Sequence, residues 1–108
     1  MVKGSSPTWC GVRCVFLLDG GMYEERIVTV KADGLDDAIR RGERDGAEYA
    51  RDRGVEQLGL VQAFSMHDDL ADGAEVFSLV RQSSLEQETY LTRLFDTGTE
   101  RQRGVNED

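Results

Sequence analysis

This chain is poor in the residues that build reactive centres and rigid turns. It has one histidine (His67), one tryptophan (Trp9), one proline (Pro7), two cysteines (Cys10 and Cys14) and two lysines (Lys3 and Lys31) in 108 residues. One histidine leaves no partner for a two-histidine metal site, and two cysteines rule out a disulfide-rich scaffold. The longest uncharged apolar stretch, Cys14 to Leu18, is far short of the ~20 residues that span a bilayer. Met1-Val2-Lys3 is not followed by an apolar signal core, so the reading is a soluble, cytoplasmic protein with reduced thiols. No Gly-x-Ser-x-Gly, no phosphate loop leading into a helix and no recognisable Cys/His spacing occurs. The sequence therefore predicts no catalytic residues, no bound metal and no cofactor.

What is abundant is negative charge: 21 acidic against 13 basic residues, a net charge of −8. A field of that sign repels phosphate backbones and anionic membranes, which sets aside nucleic acid and lipid and favours a basic protein partner. The same charge also serves solubility alone.

The hydrophobic period changes in an orderly way. Trp9 to Leu18 and Glu24 to Ala32 alternate with period 2, joined by Asp19-Gly20-Gly21, which suits a tight hairpin. Cys10, Val12, Cys14, Phe16 and Leu18 share the face expected in the core. Glu24, Arg26, Val28, Val30 and Ala32 share a face of the second strand. Leu35 to Arg53 has period 3.6, with an inward stripe of Leu35, Ala38, Ile39, Gly42, Gly46, Tyr49 and Ala50, and Gly54 as its stop. The two glycines on that stripe imply close approach of helix to sheet. Val55 to His67 reads as a third strand, with Leu58, Leu60, Phe64 and Met66 on one face and Val61, Ala63, Ser65 and His67 on the other. Ala74 to Arg81 reads as a fourth. The capping box Ser84-Leu85-Glu86-Gln87 opens a second helix with the stripe Leu85, Leu91, Leu94 and Phe95.

The fold predicted is α+β: a four-stranded, mainly antiparallel sheet in the order 2-1-3-4, with two helices on one face and the element order ββαββα. Residues 9–98 form one domain, between a flexible 1–8 and a disordered polar tail, 99–108. With both helices on one face, alternation leaves part of the set Val15, Leu17, Ile27, Val61, Ala63, Val76 and Val80 on the other, which predicts a homodimer or another cover for that face.

Tyr23-Glu24-Glu25-Arg26-Ile27-Val28, the Trp9-led first strand and Asp72-Gly73-Ala74-Glu75-Val76-Phe77-Ser78 together resemble the bacterial family of unknown function DUF4288, over about residues 9 to 98. The resemblance implies a small α+β domain and implies no reaction.

Three constellations remain as candidates. Cys10 and Cys14 lie roughly 13 Å apart along a strand, too far for a disulfide or a shared zinc, and read as buried reduced thiols. His67 with Asp69 lies in an acidic turn, which lacks oxygen ligands at two EF-hand positions and reads as solvated. Glu24 and Arg26 lie on an otherwise apolar strand face, as a salt bridge or as the polar floor of a groove. Trp9 and Tyr23 are core lids or ligand anchors. The leading reading is a non-enzymatic interaction module, inhibitor-like or immunity-like. The alternative is a small-ligand or catalytic pocket between sheet and helices or at a dimer interface, built from Trp9, Tyr23, Glu24, Arg26, His67 and Asp69.

Overall fold

The structure, a computed structural model, describes residues 7–95 and 102–104. The expected flexibility of residues 1–6 and the expected disorder of most of 99–108 lie outside that range. The elements are β1 (Thr8–Leu17), a 3-10 turn (Asp19–Gly21), β2 (Tyr23–Ala32), α1 (Leu35–Arg53), β3 (Glu56–Ser65), the one-turn α2 (Gln87–Tyr90) and a π-helical turn (Leu91–Phe95). The chain divides into two compact units, Met1–Ser78 and Leu79–Asp108.

The hairpin is the first structure the sequence dictates. Gly20 and Gly21 supply φ of +77° and +73°, and Leu18 N–H donates to the Met22 carbonyl at 2.8 Å, closing the turn. That turn sets the antiparallel register from Leu17 opposite Tyr23 to Thr8 opposite Ala32. The chain then crosses as α1 and returns as β3 on the other side of β1, giving the antiparallel order β2-β1-β3. Opposite Cys14 to Phe16 the β3 register shifts by a bulge.

α1 lies across one face of the sheet, and the core sits between them: Cys10, Val12, Cys14 and Phe16 of β1, Val30 and Ala32 of β2, and Ala38 and Ala50 of α1 are buried. Gly42 and Gly46 are buried at the contact. A Cβ on Gly42 would lie 2.2 Å from Val12 Cγ1, so the close approach expected of these glycines is present. The helix ends as expected at Gly54, in the left-handed region at φ +68°.

The structure departs from one expectation and completes two others. First, residues 74–81 form no strand, and the sheet of the described residues has three strands. Gly73, at φ +85°, reverses the chain and Phe77 stacks on Phe64 at 4.7 Å, but no backbone ladder joins this segment to β3. Second, the helix expected from the capping box is present but starts at Gln87 after Glu86 with no side-chain cap, and runs from the α turn Gln87–Tyr90 straight into the π turn Leu91–Phe95. Its stripe residues Leu85, Leu91, Leu94 and Phe95 are exposed. Third, Val61 and Ala63 lie on the α1 side, opposite Cys14 and Val12, and pack against the core. Leu60 and Phe64 take the uncovered face instead. Next to the glycine contacts of α1, at the positions opposite Cys14 and Val12, the small side chains Val61 and Ala63 meet the core.

Candidate interaction surfaces

Alternation along the hairpin sends the charged residues of β1 and β2 to two separate places. On the α1 side, Glu24 sits opposite Phe16 and Arg26 opposite Cys14. Above them α1 presents Asp45, Tyr49 and Arg53, spaced by four and so in one row. The Tyr49 hydroxyl donates to the Glu24 carboxylate, 2.9 Å from each oxygen. Arg26 donates to Asp45 Oδ2 at 2.8 Å, with its guanidinium carbon 3.9 Å from the Tyr49 ring centroid. Arg53 approaches the same ring at 4.6 Å, and Phe16 packs on it at 5.0 Å, tilted by 58°. The bond to Glu24 pushes the Tyr49 hydroxyl above its ordinary value of 10.0, because an ionised phenol could not donate it; burial adds to this and the two arginines oppose it. Glu24 and Arg26 are thus tied into the sheet–helix contact. Sequence reasoning missed Asp45 as the partner of Arg26 and Arg53 as a second cation on the Tyr49 ring, although the i, i+4, i+8 spacing of the three helix residues was visible.

The cysteines form part of the same packed layer. Cys10 and Cys14 are buried free thiols. Cys14 Sγ donates to the Gly42 carbonyl at 3.7 Å and accepts from Gln57 Nε2 at 3.8 Å. Burial is the largest of several influences that raise its pKa above the ordinary 9.0, which suppresses the nucleophilic thiolate.

The face away from α1 is a second, open surface. Arg13 stands at its centre, paired with the Glu25 carboxylate and 3.4 Å from Gln62 Oε1. Arg13, Val15, Glu25, Leu60 and Gln62 line a shallow cavity of about 200 Å³. Towards one end Phe64 lies across Gly11, where a Cβ would come within 2.2 Å of the ring, and Lys31 sits 5.5 Å from the Trp9 ring centroid. Ile27 lies opposite Arg13, and towards the hairpin turn lie Leu17 and Tyr23, of which Tyr23 is 65% exposed. Sequence reasoning missed Arg13, Glu25 and Gln62, whose meeting depends on the register of three strands.

The expected site residues do not converge. Tyr23 pairs with Leu17, eight residues along β1 from Trp9, which is roughly 26 Å in an extended strand. Met66 N–H donates to the Trp9 carbonyl at 3.0 Å, so His67 and Asp69 follow at the Trp9 end of the sheet. Glu24 and Arg26 lie toward the hairpin end, on the α1 side. A single pocket built from His67, Asp69, Glu24 and Arg26 is not formed.

At the Trp9 end the chain makes an acidic turn. Asp68, Asp69, Asp72 and Glu75 are all exposed. Asp68 Oδ2 accepts the Glu75 N–H at 3.0 Å, and Ala74 N–H donates to the Ala71 carbonyl at 3.1 Å, which fix the turn. No three His, Cys, Asp or Glu among the described residues are arranged to hold a metal ion. No helix among them is long and apolar enough to cross a membrane.

The chain matches no family model, no curated protein and no solved structure.

Proposed function

We propose that this protein is a non-enzymatic interaction module of the cytoplasm, inhibitor-like or immunity-like, that offers an acidic surface to a basic protein partner. The observation that carries the reading is the exposed turn bearing Asp68, Asp69, Asp72 and Glu75 in a chain of net charge −8. Such a surface accelerates encounter with a basic partner and selects against acidic ones. The distinctive polar groups Glu24, Arg26 and Tyr49 are engaged with one another and with Asp45, which suits a scaffold better than a reaction centre. On this reading the chain is a DUF4288 member by the residue likeness given above.

Capture from the native cell by the tagged chain tests the function. At about 50 mM salt a Lys/Arg-rich protein should be retained, and about 500 mM salt should release it as the screening length shortens. Asp69→Lys with Asp72→Lys should weaken retention roughly tenfold. Recovery of acidic or neutral proteins alone, or retention indifferent to salt, overturns the reading.

A further inference from the structure

The acidic turn leaves a different surface unaccounted for, the open face of the sheet. Its apolar residues include Val15, Leu17, Ile27, Leu60 and Phe64, and Ile27 and Leu60 are 48% and 64% exposed. Its charged residues are Arg13 and Lys31 against Glu25 and Glu56, two of each sign, as the β1–β2 and β1–β3 registers place them. The face is therefore neutral in a chain of −8. A basic partner steered by the acidic surface gains nothing here.

We propose that this face is a self-association surface and that its occupant is a second copy of the same chain. Charge complementarity is the first argument. A two-fold axis through the centre of the face sets Arg13 and Glu25 of one copy against Glu25 and Arg13 of the other, so a self-contact places opposite charges together and keeps the excess negative charge outside. Area is the second. Three ten-residue strands at ~3.3 Å per residue and ~4.8 Å spacing present roughly 500 Å² in projection, or about 1,000 Å² for two copies. Even with Phe77 stacked over Phe64 at one end, that is the size of a weak self-association interface, with apolar residues flanking the polar centre.

Charge exchange tests the geometry. The wild-type chain should sediment as a dimer at tens of micromolar. Arg13→Glu puts two carboxylates at the centre of each face, and Glu25→Arg puts two guanidinium groups there. Each variant alone should be monomeric, and an equimolar mixture should recover a one-to-one dimer. Circular dichroism checks that both fold. Leu60→Asp, at an exposed position outside the charge pair, should also give a monomer, and it decides the matter if either charge variant does not fold. Dimerisation should hold or strengthen as salt rises, whereas capture of a basic partner should weaken, so failure of one proposal is distinguishable from failure of the other. A wild-type monomer, variants that dimerise as the wild type does, or a folded mixture that stays monomeric would each overturn the proposal.

Discussion

At the scale of single residues, the two glycines on the inner stripe of α1 have different tasks. A Cβ on Gly42 would lie 2.2 Å from Val12 Cγ1 and 2.9 Å from its Cβ. Val12 is fully buried and β-branched, so it cannot rotate away. On Gly46 the nearest atom, at 2.4 Å, is Nε2 of Gln57, the movable end of a flexible side chain. Alanine gains roughly 1 kcal/mol of helix propensity at either site, while overpacking a core costs about 1–3 kcal/mol. Gly42→Ala should therefore destabilise the chain by up to about 2 kcal/mol, and more than Gly46→Ala, which should stay within about 1 kcal/mol of neutral, measured as urea midpoints at constant slope. Equal effects would contradict the contacts described. That both glycines sit under close approach was legible from their place on the stripe. Which of them tolerates a methyl group was not, because that depends on what the sheet places beneath.

Among the elements, the hairpin and α1 were legible because each carries its own local instruction: period 2 about an Asp-Gly-Gly turn, and period 3.6 closed by a glycine. β3 alternates between two apolar sets, so periodicity alone could not say which set meets α1. The pairing with β1 decides it, setting Val61 and Ala63 opposite Cys14 and Val12, next to the glycine contacts of α1. The consequence is a contrast between neighbours. Val61→Asp places a carboxylate against the core opposite Cys14 and should cost ~2 kcal/mol or more. Leu60→Asp changes a residue 64% exposed on the other face and should leave the stability of the protomer within about 0.5 kcal/mol. Thermal melts at a concentration where the chain is monomeric separate this from association. If Leu60→Asp proved the more damaging, the faces would be assigned the wrong way round. The fourth strand was over-read for a related reason. Alternation over 74–81 is a local signal, and that segment has no ladder to make it decisive.

For the whole molecule, charge is the property that sequence shows most directly and position least. The net −8 and the acidic turn were legible, but the neutral sheet face and the Glu24–Tyr49 contact arise from registers linking residues far apart in the chain. Among the described residues the ion pairs Arg13–Glu25, Arg26–Asp45 and Arg40–Asp37 are all partly solvated. Each contributes at most about 1 kcal/mol, and salt screens it. Mutual repulsion among the excess carboxylates opposes compaction and is screened by the same salt. Because the repulsion sums over the whole surface while the pairs are few, screening should relieve more than it removes. Raising ionic strength from about 10 mM to about 100 mM shortens the screening length from roughly 30 Å to roughly 10 Å. The melting midpoint of the monomeric chain should then rise by a few degrees, with sodium chloride and potassium chloride alike. A fall in the midpoint would show instead that the ion pairs, led by the Arg26 contact with Asp45 beside the Tyr49 ring, outweigh the repulsion.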